Sequence, residues 1–101
     1  MSTPQNTYLV NKGTDLNFTF NWPDGVGGNA DLTGYTVAAY DVDSAISSLL
    51  TVTLTTANVG LITVSLQWDE TLSIGVEYKF RIKSTLSALD VSTNEFIVWY
   101  R

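Results

Sequence analysis

The sequence contains neither cysteine nor histidine. Without cysteine there is no disulfide pattern from which to read a redox compartment, and thiol chemistry is excluded. Without histidine the usual general base near neutral pH is missing, and with it the commonest transition-metal ligand. Charge is scarce as well: 15% of residues are charged, against about 25% in average soluble proteins. Ten acids against five bases leave a net charge of −5, which argues against nucleic acid or an anionic membrane as partner. No apolar run approaches the roughly 20 residues of a membrane span. The start, Met1-Ser2-Thr3-Pro4-Gln5-Asn6, has neither a basic region nor an apolar one, so no secretory signal is expected. The expectation is a soluble chain made in a cytoplasm, wherever it finally acts.

What is present points to strands. A chain of 101 residues fits one domain, and a domain of that size buries roughly 60–70% of its unfolded surface without metal or disulfide staples. Apolar residues make up 45%, and uncharged Thr, Ser and Asn fill much of the remainder. That mixture suits strands, which favour Thr, Val, Ile and aromatics. It also leaves a surface poor in charge, a mild sign of protein–protein contact.

Hydropathy periods predict seven strands. Residues 1–6 read as a polar arm and 7–101 as a single domain. Thr7-Tyr8-Leu9-Val10 forms a short first strand, ended by Asn11-Lys12-Gly13. In Asp15–Trp22, Leu16, Phe18, Phe20 and Trp22 alternate with polar partners, the period of a half-buried strand. Pro23–Asn29 is a glycine-rich loop. The third strand lies in Ala30–Val42 and is followed by a polar connection, Asp43–Ser48, with the signal of one helical turn capped by Asp43 or Ser44. Leu50, Val52 and Leu54, then Ile62, Val64 and Leu66, alternate with Thr and Ser on either side of Thr56–Gly60, which reads as a hairpin. Trp68–Gly75 is a crossing loop. Tyr78, Phe80 and Ile82 alternate with Glu77, Lys79, Arg81 and Lys83 in the sixth strand, Thr85–Thr93 reads as loop, and Glu95–Arg101 is the last strand. Seven short strands with turn signals every 8–12 residues and no helical period predict an all-β, immunoglobulin-like antiparallel sandwich. Phe18, Phe20, Leu54, Val64, Tyr78 and Phe80 are its expected core.

Chemistry-bearing clusters are few. Asp41-Val42-Asp43 is spaced like the start of a calcium loop, but Ser44-Ala45-Ile46 supplies no further ligands, and two acids at a strand end are usually a solvated turn. Asp69 and Glu70 sit together in a loop, where a glycosidase would need two acids at a fixed separation. Gly27-Gly28 precedes no Lys-Ser/Thr and no helix, so it is no phosphate cradle. No catalytic residue, metal, cofactor or small-molecule substrate is expected, and the chain reads as a non-enzyme. Trp22, Trp68 and Trp99 raise a rival, a sugar-stacking platform, although Trp22 shares its phase with Phe18 and Phe20 and is simpler as core.

Two strands break the alternation. The third carries Tyr35, Val37 and Ala39 on one phase and Ala38, Tyr40 and Val42 on the other. The last carries Phe96, Val98 and Tyr100 on one phase and Ile97 and Trp99, with Glu95, on the other. One face of each is expected in the core and the other against a partner, since contiguous apolar patches mark interaction sites. Lys79, Arg81 and Lys83 form a basic stripe holding three of the five cations, suited to an acidic partner. The candidate protein interface is therefore Ala38, Tyr40, Val42, Ile97, Trp99, Lys79, Arg81 and Lys83.

The run Lys12-Gly13-Thr14-Asp15-Leu16-Asn17-Phe18-Thr19-Phe20-Asn21-Trp22, the turn Asp31-Leu32-Thr33-Gly34-Tyr35-Thr36, the hairpin segment Thr55–Val64 and Gly75–Ile82 together resemble a small immunoglobulin-like module of tailed-bacteriophage virion proteins. The resemblance covers residues 12–83, and Asp41 departs from it by falling on the core phase of the third strand. It implies a structural protein on the virion exterior, made in the host cytoplasm. Head decoration is favoured, with a tail, baseplate or fibre-attachment role next. The implied partners are other virion proteins of capsid or tail, copies of itself among them, and not nucleic acid or membrane. No site residue carries over from the resemblance, because the matching positions are structural. The rival from another class is a carbohydrate-binding β-sandwich module for host-surface glycans, using Trp68 and neighbouring tyrosines.

Overall fold

The computed structural model describes residues 7–24, 26–86, 89–92 and 95–101; the polar arm expected at residues 1–6 lies outside them. The alternating segments become β1 (Thr7–Val10), β2 (Leu16–Asn21), β3 (Thr36–Tyr40), β4 (Leu50–Thr56), β5 (Leu61–Leu66), β6 (Glu77–Leu86), β7 (Leu89–Ser92) and β8 (Phe96–Tyr100). They build an all-β sandwich of two sheets. One has the order β1-β8-β6-β3, with β7 also on β6, and the other is β2-β5-β4. All pairings are antiparallel except β1 with β8, which is parallel.

The segment expected as a loop at Thr85–Thr93 is corrected. β6 continues to Leu86 and pairs through Lys83–Leu86 with β7, while its first half, Glu77–Phe80, pairs with β8. β7 is only four residues long, too short for its alternation to stand out against the Ser and Thr around it. The connection after β3 makes bonds of the helical-turn type without forming a helix. Ile46 N–H donates to the Asp43 carbonyl, Leu49 and Leu50 N–H donate to the Ile46 carbonyl, and Ile46 itself is a fully buried plug.

Strand alternation delivers one face of each sheet to the core. Ile62, Val64 and Leu66 of β5 face Phe80, Ile82, Phe96 and Val98 of the opposite sheet, all fully buried. Of the expected core, Phe20, Val64, Tyr78 and Phe80 are buried, while Phe18 and Leu54 are half-buried and packed against it. The rings make a continuous stack: Phe80 lies 5.1 Å from Phe96, and Phe96 lies 5.8 Å from both Phe18 and Phe20. Tyr78 closes the corner between β5 and β6, its hydroxyl accepting the Ser73 N–H at 2.8 Å, the tyrosine corner of immunoglobulin-like sandwiches.

The Asp31-Leu32-Thr33-Gly34 turn works by three contributions. The Asp31 carboxylate accepts the Thr33 N–H at 3.0 Å and the Thr33 hydroxyl at 2.6 Å. Leu32 is 3% exposed and inserts into the core. Gly34 has φ +84°, where any side chain is strained. Gly60 ends the Ala57–Val59 3-10 turn with φ 61°, and a Cβ there would stand 2.7 Å from the Ala30 carbonyl oxygen. That close approach lets Trp22 N–H donate to the Gly60 carbonyl and seats the buried Trp22 ring.

Three predictions follow from these contacts. Phe80→Ala should cost about 3–5 kcal/mol in urea unfolding, the usual loss for a buried aromatic; unchanged stability would remove β6 from the core. Gly34→Val should cost about 1–2 kcal/mol, the strain of a left-handed conformation, beyond the ±0.5 kcal/mol of ordinary surface changes. Thr33 holds the Asp31 carboxyl below its ordinary value of 3.8, first through its hydroxyl and then through its N–H. A carboxyl depressed on folding contributes stability above its unfolded pKa and loses it as the pH falls through the folded value. Asp31→Ala should therefore melt below the parent at neutral pH, and the gap should close below about pH 4.

Candidate functional site

The register between strands decides which side chains share the outside of the larger, five-stranded sheet. On β6, Tyr78, Phe80, Ile82 and Ser84 point inward, so Glu77, Lys79, Arg81 and Lys83 point outward. Partners directly opposite in a ladder share a face. Tyr40 stands opposite Arg81 and Ala38 opposite Lys83. On the other flank Ile97 stands opposite Lys79 and Trp99 opposite Glu77. One strand further, Leu9 pairs with Trp99 and Thr7 with Ile97.

The sequence candidates Ala38, Tyr40, Ile97, Trp99, Lys79, Arg81 and Lys83 thus meet on a single face. Each is half-buried, and the apolar ones are outside the set packed on the core. The face has two halves. Leu9, Ile97 and Trp99 make an apolar strip on β1 and β8. Lys79, Arg81 and Lys83 make a cationic row on β6, and the Lys83 ammonium lies 5.7 Å from the centre of the Tyr40 ring, within cation–π range. Alternate residues of a strand are about 7 Å apart, so the row of three cations spans roughly 13 Å.

Val42 does not belong to this face. β3 ends at Tyr40, Asp41 takes φ 50°, and the left-handed residue turns Val42 onto the core, where it packs half-buried. The same bend explains why Asp41 fell on the core phase: it is no longer in the strand. Beyond it, Asp43 mimics a strand neighbour, its carboxylate accepting the Lys79 N–H at 2.8 Å and its own N–H donating to the Lys79 carbonyl at 3.0 Å. The acid pair considered for calcium is thus partly committed to capping β6. Asp69, weighed as half of a glycosidase pair, closes its own turn by accepting the Thr71 N–H at 2.9 Å. That bond is the first cause holding its carboxyl below the ordinary value, followed by one from the Thr71 side chain.

The tryptophans do not form a common platform. Trp22 is 6% exposed. Trp68 packs against the core with its ring 4.8 Å from Tyr100 in an edge-on arrangement, so it closes the sandwich rather than opening to a sugar. Trp99 lies on the outer face with Tyr40. Sequence reasoning missed two members of that face, Leu9, which is 60% exposed, and Glu77. The signal for Leu9 was its place between Tyr8 and Val10 in a four-residue strand, but its position beside Trp99 depends on the parallel β1–β8 pairing, which no local pattern encodes.

The outside of the other sheet contrasts with this one. Asn17, Ser65 and Thr51 lie in one row, and Thr19, Thr63 and Thr53 in the next. Two side-chain bonds cross these rows, Ser65 hydroxyl to Asn17 carboxamide at 2.7 Å and Thr55 to Thr63 at 2.6 Å. That face is polar and without a charged residue in these rows. Three of the five cations, with Tyr40, Ile97, Trp99 and the exposed Leu9, lie on the outside of the larger sheet, and what they offer is contact chemistry: carboxylate pairing, stacking and apolar burial.

No family model matches the sequence, and no curated protein matches it. Among solved structures, two of the endo-fucoidan hydrolase MfFcnA4 from glycoside hydrolase family 107 resemble the fold, each with a TM-score of 0.61 and 16% identity. They cover 94% and 93% of this chain, which in turn spans only 12% of the length of theirs. At that identity the chain is similar to a minor part of those proteins in fold.

Proposed function

We propose that the chain is a non-enzymatic structural protein of a tailed-bacteriophage virion, an accessory component that docks on other virion proteins. Head decoration is the favoured place, with tail or baseplate next. The observation that carries the reading is the open face of the five-stranded sheet, where the interface candidates other than Val42 converge and Leu9 extends them. Trp, Tyr, Arg and Ile concentrated on one flat face are the composition of a protein-interface core. The resemblance of residues 12–83 to small virion modules supplies the setting.

A second reading has one observation in its favour. The fold likeness to part of a polysaccharide hydrolase agrees with a carbohydrate-binding module, in which Tyr40 and Trp99, rather than Trp68, would stack on sugar rings. Titrating tryptophan fluorescence with polysaccharides, or a glycan array, separates it from a protein-docking role.

Mass spectrometry of purified virions, followed by a density map, locates the chain if the first reading holds. Large aromatics at the centre of an interface commonly contribute about 2 kcal/mol or more, roughly thirtyfold in affinity. Tyr40→Ala and Trp99→Ala should each cost the isolated fold less than about 1 kcal/mol, a melting shift within about 8 °C, while lowering occupancy in particles. A large fall in melting temperature would make these residues core, and normal occupancy would remove the face from assembly.

A further inference from the structure

We propose that the cationic half of the outer face is built for an acidic protein segment, two or three carboxylates about 7 Å apart running along β6, with an apolar strip beside them over β8 and β1. The inference rests on the docking role above and names the chemistry of the partner.

Three observations carry it. The first is the order of charges on β6, where the outward row reads Glu77, Lys79, Arg81, Lys83. An acid closes the foot of the row, Asp43 sits against the Lys79 backbone at the same level, and Glu95 follows the Phe80–Phe96 pair on the Arg81 side. The positive stretch is therefore short and bounded, matched by about five residues of an extended chain whose alternate side chains share its spacing. A long uniform polyanion would run past Lys79 onto Glu77, and the net charge of −5 would repel the rest of it.

The second is the surroundings of the cations. Arg81 lies opposite Tyr40, and the Lys83 ammonium lies by the Tyr40 ring. Their stems are half-buried, so a carboxylate docking there meets charges with part of their water already displaced and in a lower dielectric than open solvent. The apolar strip at Ile97, Trp99 and Leu9, adjacent in register to Lys79 and Glu77, excludes further water once covered.

The third consideration disfavours a second copy docked row to row. A twofold contact centred on β6 sets each row of cations against its symmetry mate, and facing like charges are destabilising. The partner must bring the opposite sign.

The test uses the whole chain at low salt and follows backbone amide shifts on titration. The probes are an octapeptide alternating glutamate and threonine, the same peptide with glutamine for glutamate, and dextran sulfate. The glutamate peptide should shift the amides of β6 and β3, and its affinity should be lost at about 0.5 M salt, where the screening length is only a few ångströms. Arg81→Glu should weaken it about tenfold and Glu77→Lys should strengthen it several-fold. The gain in Glu77→Lys reports on the face even if the arginine variant folds poorly. No binding of the glutamate peptide, equal binding of the glutamine peptide, or no response to either variant overturns the inference. Tighter binding of dextran sulfate, weakened by Arg81→Glu, also overturns it and assigns the face to an anionic polysaccharide. These outcomes are independent of the docking role itself, which is tested by the melting temperature and particle occupancy of Tyr40→Ala and Trp99→Ala.

Discussion

Phe96 sits where the two sheets meet, its ring stacked on Phe80 of the neighbouring strand and within 5.8 Å of both Phe18 and Phe20 across the sandwich. Antibody domains join their sheets at this level with a disulfide, whose second cysteine follows the corner tyrosine by two residues. Here the residue two after Tyr78 is Phe80. Packed rings, which bring large buried area and favourable stacking, replace a covalent bond. The site depends on that choice. Once Phe80 and Phe96 are held inward, the pleat of β6 and β8 sends Lys79 and Ile97 outward, and the register of the ladder sets them side by side.

Much of the architecture was legible because four segments alternate cleanly. Leu16–Trp22, Leu50–Thr55, Ile62–Gln67 and Tyr78–Lys83 each bury one phase, and a one-residue slip would expose the whole set. β3 and β8 were harder. Both phases are apolar in each, so periodicity gave the strands but not their inward side. Only pairing with β6 resolves it: Ala39 opposite the buried Ile82 turns Tyr40 outward. Val42 was misplaced because period-two counting assumes extended backbone throughout. Asp41 breaks it in the left-handed region, which aspartate tolerates better than most residues, so the aspartate before Val42 was itself the cue. β7 was missed for want of length, and Leu9 because its neighbours on the face come from the far end of the chain.

The two outer surfaces divide the labour of solubility and contact. Threonine, serine and asparagine line the outside of the three-stranded sheet, two pairs of them bonded to each other, so that face hydrates without charge. The larger sheet carries three of the five cations instead, with Tyr40, Ile97, Trp99 and the exposed Leu9 beside them. A sandwich is indifferent to which chemistry decorates its outside, since alternation leaves the outward phase free of the core. That is why a likeness of fold to part of a fucoidan hydrolase is compatible with several functions, and why the outer side chains, not the topology, distinguish them.

The parallel pairing of β1 with β8 has a mechanical meaning. The chain enters the sheet at Thr7 and leaves after Tyr100 on adjacent strands that run the same way. A pull applied through the two ends therefore drags these strands past each other along their length. Every bond of the ladder, including Arg101 N–H to the Val10 carbonyl and Lys12 N–H to the Arg101 carbonyl, is loaded together instead of one after another. Ladders sheared in this way yield at higher force than ladders peeled from one end, so the fold resists tension along the chain beyond what its equilibrium stability would suggest.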